Sequence, residues 1–277
     1  MIRAGVIGWP VAHSRSPLIH GHWLKVHGID GAYDRIPVEP DEAAAFFAGL
    51  PESGLAGVNV TLPHKEAAAA AVTDLDPVAR RLGAANTLWL EDGRLRATNT
   101  DVHGFLANLD ERAPGWDRDP RLAVVVGAGG AARAVVDGLV GRGHTVVVAN
   151  RTLARAEAIV AMYPGRASAI DLASLDRTAA DPAVRLVVNT TAVGLHGDDG
   201  AIPLDFGRIG SESIVTDIVY VPLLTPFLAA ARARGLRTVD GLGMLLHQAV
   251  PGFEHWFGVR PAVTTELRAI VEADLSS

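Results

Sequence analysis

The sequence predicts an α/β protein of two domains: an α/β unit completed by C-terminal helices, and a doubly wound parallel sheet. Three observations lead there. The chain has 277 residues, long for one compact core. Strand-like and helix-like segments alternate through two blocks, separated by a joint rich in proline and charge, Ala113-Pro114-Gly115-Trp116-Asp117-Arg118-Asp119-Pro120. After Asp240 the pattern turns mainly helical, and this tail is expected to return to the first block, leaving a cleft between the two. The expected bounds are 1–101 with 241–277 for the first domain and 102–240 for the second.

The first block opens with a strand from Ile2 to Ile7 and a helix begun at Ser16-Pro17. A helix near Asp41 to Leu50 and a strand from Leu55 to Thr61 follow. Pro63 begins a further helix and Asp76-Pro77 another, because proline in the first helical position behind Ser, Thr or Asp is a start signal. Two strand-like runs, Thr87 to Glu91 and Arg94 to Thr98, close the block. The Asp92-Gly93 between them is a strong signal for a two-residue hairpin. The second block reads strand Leu122 to Val126, helix Gly130 to Arg142, strand Thr145 to Ala149 and helix Leu153 to Met162. Later come strands at Leu186 to Asn189 and Ile214 to Val219, and a helix from Thr225-Pro226. Apolar β-branched runs alternating with helices imply a parallel sheet covered on both faces.

Composition removes several function classes. With 49% apolar and 20% charged residues the chain is globular. A formal charge of −6 opposes a nucleic-acid surface, which needs a basic face. No apolar run approaches the ~18 residues of a membrane span, and the N-terminus lacks a signal layout, so no membrane partner is expected. The absence of cysteine excludes disulfides and thiolate metal sites and suits a reducing cytoplasm, the expected location. His20 and His22 diverge on one helix and no His-Glu-x-x-His occurs, so no metal site is expected. Neither a Gly-x-Ser-x-Gly elbow nor a Walker loop is present.

The strand Leu122 to Val126 runs straight into Gly127-Ala128-Gly129-Gly130-Ala131-Ala132. This Gly-x-Gly-x-x-Ala turn opens a helix, and a second strand follows at the right distance. Together they predict a Rossmann-like dinucleotide site with the pyrophosphate at the helix N-terminus. The second strand ends in Asn150-Arg151-Thr152, where an NAD-selective site places Asp or Glu. Asn150 removes the repulsion towards a 2′-phosphate, while Arg151 and Arg155 offer charge and forked donors. NADP(H) is therefore the expected cofactor. Arg155 suits an exposed helix face equally well, whereas the position of Arg151 at the strand end favours a binding role.

A candidate chemical site lies in the first block. Val58, Asn59, Val60 and Thr61 alternate, which sends Asn59 and Thr61 to one face. Lys65 follows in the first turn of the helix begun by Pro63. Of 25 basic side chains, 23 are arginine, and only Lys25 and Lys65 can lose a proton near neutral pH in suitable surroundings. A cation at a helix start costs roughly 0.3–1 kcal/mol at an exposed site. The same field eases proton release and suits a proton shuttle. Lys25 reads as an ordinary exposed helix lysine. Pairing about Asp92-Gly93 sets Glu91 against Arg94, and extending it sets Asn86 against Asn99. Asp101, two residues on, then shares their face, so the hairpin gathers Asn86, Asn99 and Asp101 at its open end. Asp101 is also a natural N-cap for a helix from Val102, and Ser16 a natural cap before Pro17; Ser14 has no such role.

These residues resemble the shikimate dehydrogenases. The matching stretches are Gly5-Val6-Ile7-Gly8-Trp9-Pro10-Val11-Ala12-His13-Ser14-Arg15-Ser16-Pro17, Val58-Asn59-Val60-Thr61-Leu62-Pro63-His64-Lys65, Gly83-Ala84-Ala85-Asn86-Thr87 and Asn99-Thr100-Asp101. The glycine turn, Asn150-Arg151-Thr152, Asn189-Thr190-Thr191, Asp217-Ile218-Val219-Tyr220 and Asp240-Gly241-Leu242-Gly243-Met244-Leu245 continue the match in order along nearly the whole chain. That family reduces 3-dehydroshikimate to shikimate with NADPH, in aromatic amino-acid biosynthesis. The resemblance implies Lys65 and Asp101 as the catalytic pair, Lys65 relaying the proton. It implies Ser14 and Ser16, helped by Tyr220, on the substrate carboxylate, and Asn59, Thr61, Asn86, Asp101 and Gln248 on its ring hydroxyls or carbonyl. For the cofactor it implies Gly127, Ala128, Gly129, Gly130, Ala131, Asn150, Arg151, Thr152, Arg155 and Thr190, with Gly241 and Met244 by the nicotinamide. It also implies that cleft closure brings the ring to the substrate.

Three departures stand out. Ala192 replaces another small residue or proline. The loop Leu195 to Ala201 is rich in Gly and Asp and is expected to be mobile and remote from the proton chemistry. Pro251 is expected to interrupt the helix that carries Gln248. The competing readings are a quinate or aminoshikimate dehydrogenase of the same family, with NADP or NAD, and a non-catalytic NADP-binding sensor. The Ser14/Ser16 pair and Asn150-Arg151-Thr152 favour shikimate and NADP, and the presence of both Lys65 and Asp101 favours catalysis. The assembly expected is a monomer or a homodimer.

Overall fold

The computed structural model describes residues 1–195 and 201–275, so residues 196–200 of the glycine- and aspartate-rich loop lie outside the described residues. The chain divides into two compact units, Met1–Asp101 with Leu246–Ser277, and Val102–Leu245. Residues 241–245 belong to the second unit, and the passage back to the first falls inside a helix.

The first unit is a six-stranded sheet with order β2-β1-β3-β5-β6-β4, where β1 is Ile2–Gly8, β2 Gly31–Pro37, β3 Gly57–Val60, β4 Asp74–Leu75, β5 Thr87–Glu91 and β6 Arg94–Thr98. Strands β2, β1 and β3 run parallel, and β5 pairs antiparallel with β3. Helices α1 (Ser16–Val26), α2 (Ala43–Gly49), α3 (Lys65–Ala71) and α4 (Pro77–Leu82) connect them. Ile7, Val58, Val60, Leu88 and Ala97 of the sheet bury against Phe47 of α2 and Ala68 of α3. The β5–β6 hairpin has the expected register, Glu91 against Arg94 and Thr87 against Thr98. Its turn residues Asp92 and Gly93 take φ of 51° and 72°, the left-handed pair that a type I′ turn demands.

The second unit follows α5 (Asp101–Arg112). Its sheet has order β12-β11-β10-β7-β8-β9 and every pairing is parallel. Here β7 is Leu122–Val126, β8 Thr145–Asn150, β9 Ala167–Asp171, β10 Val184–Asn189, β11 Ile214–Asp217 and β12 Arg237–Val239. Both faces are covered, as a doubly wound sheet requires. Ala123, Val125, Val146, Val148, Leu186 and Val188 pack on Val135, Val136 and Leu139 of α6 (Gly130–Gly141), with Ile159 of α7 (Leu153–Val160) on the same side. Val124, Val126, Val187 and Val215 face the other way, onto Leu175 of α8 (Leu175–Ala179) and Phe227 and Leu228 of α9 (Pro226–Ala233). Burial on both faces explains the unbroken apolar runs, each buried valine contributing about 1.5–3 kcal/mol.

Several elements differ from the sequence reading. Strands β2, β4, β9 and β12 have no counterpart in it, and all four are sheet edges. In β2 only Tyr33 is buried while Asp34 and Arg35 are exposed, so neither an apolar run nor an alternation betrays it. Pro63 does not start a helix; residues 62–64 form a turn, and α3 begins at Lys65 itself. Pro251 does not interrupt α10 (Leu242–Phe257), which runs through it. Proline removes one helical N–H at a cost of ~3 kcal/mol, and the buried Leu246, Ala249, Val250, Phe253 and Trp256 hold the helix regardless. The Trp256 indole adds a bond, donating to the carbonyl of Leu88 at 2.9 Å. After a short connection α11 (Thr265–Leu275) closes the described chain.

An aromatic cluster joins α1, β2 and α10 within the first unit. The His20 imidazole stacks on Tyr33 at 4.0 Å and 11°, with Phe253 at 5.9 Å and Trp256 at 5.6 Å. Neither ring nitrogen finds a partner of good hydrogen-bond geometry. Burial, only partly offset by the neighbouring Asn59, pushes the His20 pKa from 6.5 down to about 3. The unfolded chain therefore takes up a proton below pH 6.5 that the folded chain refuses, and stability is lost as pH falls from 6.5 towards 3. His20→Phe should remove this slope, roughly 1.4 kcal/mol per pH unit in that window. Thermal unfolding of both proteins from neutral to acid pH checks it; parallel curves would refute the assignment.

Candidate active site

The first unit gathers a charge pair at the open end of the hairpin. Lys65 is the first residue of α3, and its carbonyl accepts from Ala85 N at 2.9 Å, which ties α3 to the segment entering β5. Its Nζ donates to Asp101 Oδ2 at 2.5 Å, with 25% and 11% of the two side chains exposed. The other carboxylate oxygen, Oδ1, accepts from Asn86 Nδ2 at 2.8 Å. Asn86 is itself oriented, because its Oδ1 accepts from Thr100 N at 2.8 Å and from Thr100 Oγ1 at 3.1 Å. The carboxylate offsets the unfavourable helix-start position of the ammonium. Capping falls to Asn99, whose Oδ1 accepts from Asp101 N at 3.0 Å, while the Asp101 carboxylate serves Lys65 and Asn86.

Around this pair the polar side chains differ in how much they can offer a ligand. Asn59 is buried, and both its amide protons are engaged, by Asn86 O at 3.2 Å and Thr87 Oγ1 at 3.0 Å. Its Oδ1 accepts from Tyr33 Oη at 2.6 Å, leaving one lone pair. Thr61 is half-buried beyond it, its N–H bonded to Ile7 O at 2.9 Å. The serines exchange the expected roles. No side chain caps α1 at Arg15, and Ser16 is its first residue; the capping-type bond comes from Ser14, whose Oγ accepts from Ser16 N at 3.3 Å. The Ser14 carbonyl is held by Arg35, through Nε at 3.0 Å and Nη2 at 2.6 Å. Gln248 is half-buried on the uninterrupted α10.

The second unit places the glycine turn between β7 and α6. Gly127 has φ of +107°, and a Cβ there would lie 2.7 Å from Thr190 Oγ1, so only glycine fits. Thr190 is pinned against the turn by two bonds to Val126 O, from its N and its Oγ1, both at 2.8 Å. Over Gly129 and Gly130 the space is open to 4 Å, leaving the first amides of α6 accessible, as an anion cradle needs. A cavity of about 220 Å³ beside them is lined by Ala128, Gly129, Gly130, Arg133, Arg155, Ala158 and Ile159. Its lining includes two arginines and no carboxylate. Asn150 bonds through Nδ2 to Thr152 O at 2.8 Å, and Arg151 and Thr152 are exposed outside that lining. The residues present fit an NADP 2′-phosphate, with Arg155 better placed than Arg151. Arg133 escaped the sequence reading. Its signal is that it is the one cation in the first turn of α6, a helical turn beyond Gly129.

A buried scaffold shapes the remaining candidates of this unit. The Asp217 carboxylate accepts from Asn189 Nδ2 at 3.0 Å, Val219 N at 2.9 Å and Thr225 Oγ1 at 2.7 Å. Burial raises its carboxyl above the usual range. Asp217 thereby ties the Asn189-Thr190-Thr191 segment to the one that leads to the half-buried Tyr220. At Gly241 a Cβ would lie 2.5 Å from Ile218 O, so a side chain would push the two backbones apart. Met244 packs, buried, against the same core as α6. The sequence showed Asp217 and Asn189 but not this bracing role.

The chain is similar to known proteins along its length. Residues 6–88 match the family model described as shikimate dehydrogenase substrate binding domain, residues 116–193 that of shikimate / quinate 5-dehydrogenase, and residues 241–266 that of shikimate 5′-dehydrogenase C-terminal domain. A relative from Azorhizobium caulinodans named shikimate dehydrogenase (NADP(+)) is 57% identical over 278 residues, covering 100% of this chain and 98% of its own. The structure of shikimate 5-dehydrogenase from Thermus thermophilus in complex with NADP(H) and shikimate is similar at a TM-score of 0.84 and 37% identity, covering 99% and 100% of the two chains. Quinate dehydrogenase from Corynebacterium glutamicum in complex with NAD is similar at 0.87 and 30% identity, covering 100% and 99%. The family models include Lys65 and the glycine turn, the relative's match spans the whole chain, Asp101 included, and the chain belongs to the shikimate dehydrogenase family.

Proposed function

We propose that this oxidoreductase catalyses the reversible NADPH-dependent reduction of 3-dehydroshikimate to shikimate. The observation that carries the reading is the Lys65–Asp101 pair, part-buried and aimed by Asn86, in a member of this family. NADPH supplies a hydride to the carbonyl carbon when bound. Lys65, whose side chain is a quarter exposed, delivers the proton that the carbonyl oxygen takes up and recovers it from water; in the reverse direction it removes the hydroxyl proton. Asp101 holds Nζ in place and, with Asn86, engages the reacting oxygen or its neighbour. Ser14 and Ser16 hold the carboxylate. Thr61, Gln248 and the remaining lone pair of Asn59 meet the ring hydroxyls. A substrate lacking one of these groups leaves a buried partner unpaired, which is the source of selectivity.

We assign residues 1–101 with 246–277 to the substrate and residues 102–245 to the cofactor. Gly127, Ala128, Gly129, Gly130 and Ala131 cradle the pyrophosphate. Asn150, Arg151, Thr152 and Arg155, joined by Arg133, take the 2′-phosphate. Tyr220 on the carboxylate, and Thr190, Gly241 and Met244 near the nicotinamide, rest on the family resemblance. We place the enzyme in the cytoplasm as a monomer or homodimer; among the described residues no helix is long and apolar enough to cross a membrane.

The deciding assay follows NADPH consumption with 3-dehydroshikimate, beside NADH and beside 3-dehydroquinate. Turnover confined to NADPH and 3-dehydroshikimate is expected. Preference for 3-dehydroquinate or NADH would move the protein to the quinate side of the family, and bound NADPH without any turnover would make it a sensor. Lys65→Ala should lower kcat by about 10²–10⁴-fold with little change in KM for the acid, and near wild-type turnover would remove Lys65 from the mechanism. Arg155→Ala should raise KM for NADPH about tenfold, more than Arg151→Ala does, and leave KM for the acid unchanged. Equal rises for both substrates would instead assign Arg155 to the fold.

A further inference from the structure

The roles assigned above leave Tyr33 without a function. Tyr33 lies on the edge strand β2, buried, its ring stacked on His20 at 4.0 Å and tilted against Trp256 at 5.8 Å. The rings fix where its hydroxyl can be. That hydroxyl donates to Asn59 Oδ1 at 2.6 Å, with the Ser16 side chain a neighbour of the Tyr33 oxygen.

From there an unbroken buried relay reaches the chemistry. The Asn59 amide donates to Asn86 O at 3.2 Å and to Thr87 Oγ1 at 3.0 Å. Thr87 Oγ1, with a lone pair taken by Asn59, turns its proton to Asn86 Oδ1 at 3.1 Å. Asn86 Nδ2 donates to Asp101 Oδ1, and Asp101 Oδ2 holds Lys65. Each amide in this relay has two possible orientations, and a flip of Asn59 would set its oxygen against the Asn86 carbonyl. The Asn86 carbonyl, which can only accept, selects the orientation that points the amide protons at Asn86 and Thr87, and the proton donated by Tyr33 satisfies the buried Asn59 oxygen and holds the amide in place. Because that single proton goes to Asn59, the Tyr33 oxygen can meet Ser16 only as an acceptor.

We infer that Tyr33 is a positioning residue for the reduction, aiming the Lys65–Asp101 pair through Asn59 and Asn86. This rests on the proposed dehydrogenase activity, which wild-type turnover of 3-dehydroshikimate establishes beforehand and separately.

The test is Tyr33→Phe, which keeps the ring and its stack on His20 and removes one hydroxyl. It should lower kcat about tenfold, with KM for NADPH unchanged, since the buried Asn59 oxygen loses its partner. In an Asn59→Ala background the same substitution should cause no further loss of kcat, because the relay is already cut. A kcat within twofold of wild type, or losses that multiply in the double variant, would overturn the proposal. Thr87→Val, which is isosteric, interrupts the relay further on. It should show the same fall in kcat at constant KM for NADPH; an unchanged kcat there would equally overturn it, even if Tyr33→Phe folds poorly.

Discussion

One buried amide organises the first unit. The Asn86 backbone donates to Thr98 O at 3.0 Å and accepts from Val60 N at 2.8 Å, joining the hairpin to β3. Its side chain meanwhile takes Thr100 on one side and Asp101 on the other. Strand register, the start of α5 and the direction of a carboxylate are thus set by a single residue. Leaving any one of these buried groups unpaired costs about 1–3 kcal/mol, so misplacing Asn86 is penalised several times over. The charge pair is precise because it hangs from this residue rather than from flexible side chains.

The second unit reaches a comparable precision through close backbone approach. Gly127 lets β10 close on the turn after β7, and Gly241 lets the chain before α10 close on residue 218. Asp217, with three internal donors, locks the loops that these glycines bring near. Cofactor preference depends on an absence as much as a presence, since Asn150 stands at the strand end where a carboxylate would repel a 2′-phosphate.

The legible parts of the sequence were those governed by local rules. Asp92-Gly93 dictates its turn, and the turn dictates a register that carries through to Thr87 and Thr98, beside Asn86 and Asp101. The glycine turn and the doubly covered strands announce themselves through residue type. Edge strands do not: β2, β4, β9 and β12 are short or half-exposed, and their residues look like loop. Missing β2 hid Tyr33, and with it the support behind Asn59. Proline misled twice, because Pro63 precedes a turn and Pro251 sits in a helix that tertiary packing holds together. The serine roles were reversed for a similar reason, since an ideal local cap at Ser16 yields to one that Ser14 supplies from outside the helix. Arg133 had to wait for the cavity, because the facing of α6 and α7 is a tertiary fact.

The near-exclusive use of arginine has a practical consequence. Lys25 is exposed on α1, while Lys65 is held in an ion pair with a quarter of its side chain accessible. An amine-acylating reagent therefore meets two side-chain amines of very different reactivity. The slower acylation event reports directly on a single functional nitrogen, so substrate protection of that nitrogen can be followed by peptide mass in the unmodified sequence.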